Sequence, residues 1–134
     1  MQAQARRFCQ LAAVLLALAT MIGAVATHAL HGRLSPESYQ VLQTAVHYQI
    51  FHSLGLLALG VLLDRLPLRT LRAAAWLLLA GVLLFCGSLY LLLAGAPRLV
   101  GVLTPVGGLA LIAAWCVAAV ALGGRTAASG QPQR

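Results

Sequence analysis

The sequence predicts an all-α integral membrane protein, a bundle of four transmembrane helices, and two observations predict it. The first is composition: the chain of 134 residues is 61% hydrophobic and only 8% charged, whereas soluble domains carry about 25% charged residues. The second is the placement of the charges, which leave four uncharged runs of 25 or 26 residues. Each run exceeds the ~20 residues that span a bilayer. The runs cover residues 8–32, 38–63, 73–97 and 99–124.

The first two helices are predicted at about residues 8–30 and 36–63. The apolar run after Arg6 and Arg7 is longer than the roughly 7–15-residue core of a secretory signal peptide, so we interpret it as a retained helix. Ser35-Pro36-Glu37 is typical of a helix start, because the hydroxyl caps, the proline fits the first turn and the acid favours the positive end. The second helix is longer than the bilayer requires, so we expect its first turns to lie in the outer interface.

The third and fourth helices are predicted at about residues 73–95 and 105–122. Thr104-Pro105 indicates a second capped helix start. In the third helix, small residues recur every seven positions, a spacing that keeps one seam against a partner helix through a left-handed crossing. The members of this seam are Ala74, Gly81, Ser88 and Gly95. The four helices form one predicted domain over residues 1–124, and residues 125–134 are predicted to be a disordered cytoplasmic tail.

The arginines predict how the chain is oriented in the membrane. Four crossings place the N-terminus, the loop after helix 2 and the C-terminus on one side. That side carries seven arginines and the other carries two, Arg33 and Arg98. The positive-inside rule then predicts a bacterial inner-membrane protein with both termini in the cytoplasm. We interpret the net charge of +7 as orientation and attraction to anionic lipid headgroups, and not as a nucleic-acid signal.

Polar side chains concentrate where the first two helices meet at the outer side of the membrane. In lipid such groups are costly unless they face protein, so we expect helix 2 to contact protein on both sides and to be the most buried helix. Its two polar faces are opposite one another, and helix 1 brings a histidine near one of them. The predicted polar interhelical cluster, a candidate functional site, comprises His28, Thr44, Tyr48, Gln49 and His52.

The residues give little support for metal binding, proton-coupled export or catalysis. Histidine suits zinc, copper and iron, and His28 and His31 could share one ion. His47 and His52, however, lie about 140° apart around a helix, and helices 3 and 4 have no histidine, so we predict no metal and no cofactor. A proton-coupled exporter uses an acid within the membrane, and the uncharged runs contain none. Histidines could carry protons instead, but no feature of the sequence indicates it. No nucleophile–base or carboxylate pair is evident, so we predict that the protein is not an enzyme.

Four short motifs, in order, resemble those of the YgdD-like small membrane proteins, a domain-of-unknown-function family that includes animal transmembrane protein 256. Residues 23–30 (Gly-Ala-Val-Ala-Thr-His-Ala-Leu) resemble its Gly-Ala-Phe-Gly-Ala-His-Ala-Leu signature. Residues 44–52 (Thr-Ala-Val-His-Tyr-Gln-Ile-Phe-His) resemble its Thr-Ala-Val-x-Tyr-Gln-x-x-His run. Residues 87–90 and 104–108 are similar to its later motifs, and Trp115 stands where the family has a tryptophan.

The resemblance also shows which histidines match family positions, and it helps to identify the residues that pack between helices. His28 and His52 match family positions, whereas His47 lies at a variable one, and Ala26 and Thr27 replace the family's Gly and Ala. Combined with the small-residue seams, the motifs give six candidate helix-packing residues: Gly23, Gly81, Ser88, Gly107, Gly108 and Trp115.

The resemblance implies a four-span bacterial inner-membrane protein whose molecular activity is not established. From it and the residues we predict a small structural or accessory membrane protein. The alternative is a small transporter or ligand-binding membrane protein that uses the polar cluster of helices 1 and 2. The lipid bilayer is the expected partner, and a homo-oligomer or a membrane-protein partner stays open.

Overall fold

The computed structural model describes residues 1–66 and 68–124, and this part of the chain is helical with no β-strand. Four of its helices are long and apolar enough to cross a membrane, which confirms the predicted all-α class of a four-helix membrane protein. They are α1 (Ala3–Val25), α2 (Pro36–Arg65), α3 (Arg69–Leu93) and α4 (Leu103–Gly123). A π-helical turn, Ala26–Leu30, extends α1, and a 3₁₀ turn, Arg98–Val102, precedes α4.

Two helices begin earlier than the uncharged runs predict. Helix α1 begins at Ala3 and not near residue 8, and α3 begins at Arg69 and not near residue 73. The arginines of these first turns, such as Arg6 and Arg69, are exposed. A long arginine side chain can extend from a helix toward the interface, so a charge marks the edge of the apolar core and not the end of the helix. The predicted disordered tail, residues 125–134, lies outside the described residues.

The two predicted helix starts have different outcomes. The Ser35 hydroxyl accepts a hydrogen bond from the Ser38 backbone N–H at 3.2 Å, and Pro36 is the first residue of α2, so that prediction is confirmed. The prediction that Thr104 caps α4 is wrong, because its hydroxyl lies 2.7 Å from the Ser88 hydroxyl of α3. The chain enters α4 directly from the 3₁₀ turn. Thr104 is therefore already helical, and its side chain is free to contact the neighbouring helix.

Helices α2 and α3 form the centre of the bundle, with α1 packed on α2 and α4 packed on α3. In its most apolar stretch α2 has 44% of its residues buried, against 22%, 33% and 28% for α1, α3 and the span that ends with α4. This confirms the prediction that helix 2 is the most buried. One apolar core includes residues of all four helices, among them Phe8, Leu56, Leu78 and Leu111. Helix α2 therefore has protein packed against two of its faces.

The start of α1 is linked to the end of α2. The Gln2 backbone N–H donates to a carboxylate oxygen of Asp64 at 2.7 Å. Gln2 is the N-cap of α1 and has no capping side chain of its own, so Asp64 supplies the acceptor from a different helix. A carboxylate at this position also complements the positive end of the α1 dipole.

Candidate functional site

One face of α2 carries the central polar contact of the bundle. Gln49 is 4% exposed, and both ends of its side-chain amide are bonded. Its Nε2 donates to the Leu15 carbonyl of α1 at 2.8 Å, and its Oε1 accepts from the Tyr90 hydroxyl of α3 at 2.7 Å. One side chain thus links three helices, and the buried amide has a donor and an acceptor partner in a region without water.

One turn further along the same side of α2, Ser53 is fully buried at 0% exposure. Its hydroxyl has no hydrogen-bond partner among residues 1–66 and 68–124. Beyond it, Gly60 lies against α1: a Cβ there would be 2.8 Å from the Cys9 Sγ. The face of α2 toward α1 therefore includes two small residues and one bonded glutamine, with Val46 beside Gly23 of α1.

The other face of α2 carries a row of aromatic rings. Tyr48 stacks on Phe85 of α3 with ring centroids 4.6 Å apart, and His52 stacks on Tyr48 at 5.4 Å. Trp115 of α4 lies beside His52, with centroids 6.4 Å apart. These rings line a groove of about 430 Å³ between α2 and α4. We call it the aromatic groove, lined by Tyr48, Phe51, His52, Phe85 and Trp115 together with small and aliphatic residues of α4.

The five residues of the predicted polar cluster do not come together in one place. Gln49 faces α1 and α3, whereas Tyr48 and His52 lie on the other side of α2. Successive residues point about 100° apart around a helix, which separates Tyr48 from Gln49. The Thr44 hydroxyl donates to the Gln40 carbonyl of its own helix at 2.9 Å. His28 is exposed in the π-helical turn, so helix 1 does not add it to either group.

The six predicted packing residues differ in how closely another helix approaches them. A Cβ at Gly107 would lie 2.8 Å from the Phe85 Cα, and one at Gly81 would lie 2.7 Å from Leu111 Cδ2. These two glycines mark the contact between α3 and α4. Gly23 and Gly108 leave more room, with nearest atoms at 3.4 Å and 3.7 Å. Ser88 bonds to Thr104, as described above, and Trp115 rests on Gly55, where a Cβ would be 2.6 Å from its ring.

Several residues that contact another helix were not in the predicted polar cluster or among the predicted packing residues. For some of them the sequence does carry a signal. Gly55 and Gly60 lie on opposite faces of α2 and accept α4 and α1 respectively, and their small size was the available signal. Tyr90 is one of two hydroxyl-bearing residues in the uncharged run of residues 73–97, with Ser88, and such a group requires a partner in lipid. Nothing in the sequence alone pairs it with Gln49, because the two are 41 positions apart.

The described residues contain no cluster of side chains that could bind a metal ion. No set of three or more His, Cys, Asp or Glu residues there lies close enough to hold one ion. Cys9, Cys86 and Cys116 are all free thiols. In the described chain, polar side chains thus form contacts between helices, bond to carbonyls of their own helix or line the aromatic groove.

Together, the fold and these contacts define a class: a small four-span helical membrane protein whose helices meet closely at small residues and are joined by one interhelical glutamine. The family model described as "Protein of unknown function (DUF423)" matches residues 22–108, and the chain belongs to this family. The matched range includes all of α2 and α3, hence both partners of the Gln49–Tyr90 hydrogen bond.

Named relatives are bacterial membrane proteins. The chain is 38% identical over 115 residues to the UPF0382 membrane protein YwdK of Bacillus subtilis (strain 168), covering 85% of this chain and 94% of the relative. It is 42% identical over 106 residues to the UPF0382 membrane protein SH2409 of Staphylococcus haemolyticus (strain JCSC1435), covering 76% and 86%. No solved structure is significantly similar to the chain. The protein is therefore a small membrane protein that lies in a lipid bilayer.

Proposed function

We propose that this protein is a structural or accessory component of the bacterial inner membrane, without catalytic activity of its own. The observation that supports the proposal is Gln49. Its side chain occupies the centre of the bundle, where a transporter would place its substrate site, and its amide is already hydrogen-bonded to α1 and α3. Hydrogen bonds of this kind between helices stabilise their packing in a membrane, and they give Gln49 a structural role.

The distribution of arginine supports the proposed orientation. The end of the bundle at which Asp64 meets Gln2 also holds the link between α2 and α3, and it is the arginine-rich end. The positive-inside rule places that end, with both termini, in the cytoplasm. Among the described residues its arginines are Arg6, Arg7, Arg65, Arg69 and Arg72.

The orientation is tested with two reporters fused in turn after the last residue. A green fluorescent protein should fluoresce there and an alkaline phosphatase should be inactive, because each folds on one side of the inner membrane. The reverse pair of results would contradict the proposed orientation.

The accessory role predicts that the surface of the bundle contacts another protein. A photo-crosslinking amino acid is placed in living cells at one exposed residue of each helix, namely Val14, Val61, Leu83 and Leu109. A discrete protein adduct, with a second copy or with another membrane protein, supports the role. Adducts with lipid alone at all four positions would contradict it and leave a freely diffusing bundle.

A transport activity would also contradict the proposal. Purified chain is reconstituted into vesicles that contain a pH-sensitive dye, and small organic cations are added outside. We expect the same dye response as in vesicles without protein. A proton flux that disappears in His52→Leu and persists in His47→Leu would show the transporter alternative instead.

A further inference from the structure

His52 contributes to the aromatic groove a ring whose two nitrogens the structure distinguishes. The His52 Nδ1 lies 2.8 Å from the Tyr48 carbonyl oxygen. A carbonyl only accepts hydrogen bonds, so Nδ1 carries the proton of this contact. In the neutral ring the other nitrogen, Nε2, is then an acceptor. Among the described residues 1–66 and 68–124, Nε2 has no hydrogen-bond partner.

The position of His52 along α2 decides whether water can donate a hydrogen bond to this acceptor. His52 is twelve residues from Asp64, which is about 18 Å at 1.5 Å per residue, and the hydrocarbon core is ~30 Å thick. The ring therefore lies near the middle of the bilayer, where no bulk water supplies a donor. A molecule in the groove that carries a hydroxyl or N–H would donate the missing hydrogen bond to the His52 Nε2.

The walls of the groove restrict what this occupant can be. Tyr48, Phe85 and Trp115 present aromatic rings, which favour a planar ring in offset-stacked or edge-to-face contact. The groove volume of about 430 Å³ accommodates a single substituted ring. None of the residues that line the groove is charged, so a charged ligand would lack a counter-ion there.

We propose that the aromatic groove binds a hydroxylated aromatic molecule dissolved in the membrane, a phenol or a hydroquinone, whose hydroxyl donates to the His52 Nε2. An aliphatic lipid tail would not stack, and a fully oxidised quinone, which only accepts hydrogen bonds, would leave Nε2 without a donor. This site goes beyond the structural role proposed above, because that role rests on Gln49, on the other side of α2.

The test uses the full-length chain in mild detergent with Trp76→Phe, so that Trp115 is the remaining tryptophan. Decyl-hydroquinone, kept reduced with ascorbate, is titrated while Trp115 fluorescence is followed, and tryptophanamide corrects for absorption by the probe. We expect saturable quenching. The dimethyl ether of the same hydroquinone, which has the same ring and no donor, should bind about tenfold more weakly, the change expected for one lost hydrogen bond.

Two variants of His52 and one control locate the acceptor. His52→Leu should weaken hydroquinone binding about tenfold and abolish the difference between hydroquinone and ether, whereas His52→Gln restores an acceptor oxygen and part of the affinity. His47→Leu removes an exposed histidine outside the groove and should change nothing. Equal binding of hydroquinone and ether to the unaltered groove, or no binding at all, overturns the proposal. That comparison holds even if a His52 variant fails to fold.

Discussion

The Tyr90 hydroxyl donates to the Gln49 side-chain oxygen at 2.7 Å, and this bond joins the two central helices of the bundle. Gln49 belongs to α2 and Tyr90 to α3. The amide nitrogen of Gln49 extends the connection to α1 through the Leu15 carbonyl. Beside this bond, Tyr48 of α2 stacks on Phe85 of α3. The hydrogen bond is directional, so it sets which residues of the two helices lie at the same depth.

Gln49→Leu should destabilise the bundle by about 1–2 kcal/mol, because the half-buried Tyr90 hydroxyl loses its acceptor and the Leu15 carbonyl loses a donor. The measurement is unfolding of the purified protein by a denaturing detergent added to mild detergent. His47→Leu is the control, since His47 lies two residues away and is exposed. Equal stability of Gln49→Leu and the unaltered protein would contradict the structural role of Gln49.

The pairing itself is tested by adding Tyr90→Phe. If Gln49 and Tyr90 act as a pair, Tyr90→Phe alone destabilises, and the double variant loses less stability than the two single losses added together. Strictly additive losses would show that the two side chains stabilise the protein independently, which the 2.7 Å hydrogen bond does not allow.

Adjacent glycines in α4 should respond differently to the same substitution. Gly107→Ala places a Cβ 2.8 Å from the Phe85 Cα, so α3 and α4 must separate, at a cost of about 1–3 kcal/mol. Gly108→Ala meets its nearest atoms at 3.7 Å and should be neutral, or slightly stabilising because alanine favours a helix. Thermal unfolding of both variants measures this difference. A similar loss in both would mean that the close approach at Phe85 does not set the cost, since helix propensity favours alanine at both positions.

The number and class of the helices could be predicted from the sequence, because a charge inside a span is costly enough to leave a visible pattern. The 25- and 26-residue uncharged runs correspond to the four spans. The helix ends were less predictable, because a helix can continue past the apolar core into the interface. Arg6 and Arg69 both lie in such helical turns. Periodicity also predicted that α2 meets protein on two sides, because Gln49 and Tyr48 point in different directions.

The composition of the candidate site was less accessible, because it depends on which helices are neighbours. Sequence proximity suggested that His28 and His52 share one environment. In the structure α1 meets the face of α2 that carries Gln49, and α3 and α4 meet the face that carries His52. Partners from α3 and α4, such as Phe85 and Trp115, were therefore not predictable from the residues near His52.

The Thr104 hydroxyl should act as the donor of the Ser88–Thr104 hydrogen bond. The Ser88 hydroxyl already donates its one proton to the Phe85 carbonyl at 2.9 Å, so the proton between Ser88 and Thr104, 2.7 Å apart, comes from Thr104. Thr104→Val removes this donor and should cost about 0.6 kcal/mol, a typical value between membrane helices. Thr104→Ser keeps the donor and should be less destabilising in the same unfolding experiment. A larger loss in Thr104→Ser would show that the methyl group matters more.

Asp64 should hold the first turn of α1 in place. Its carboxylate accepts from the Gln2 backbone N–H at 2.7 Å and lies at the positive end of the α1 dipole, an arrangement that contributes about 0.3–1 kcal/mol. Asp64→Ala should therefore speed hydrogen exchange of the first amides of α1 by roughly two- to fivefold. Asp64→Asn, which keeps an acceptor but not the charge, should lie between. Glu37→Gln changes the other acid of the chain, at the opposite end of α2, and should leave these amides unaffected. The carboxylate is partly exposed, with 25% of its side chain accessible. Added salt should therefore reduce the difference in exchange rate between the unaltered protein and Asp64→Asn. An unchanged exchange rate in Asp64→Ala would mean that α1 begins independently of α2.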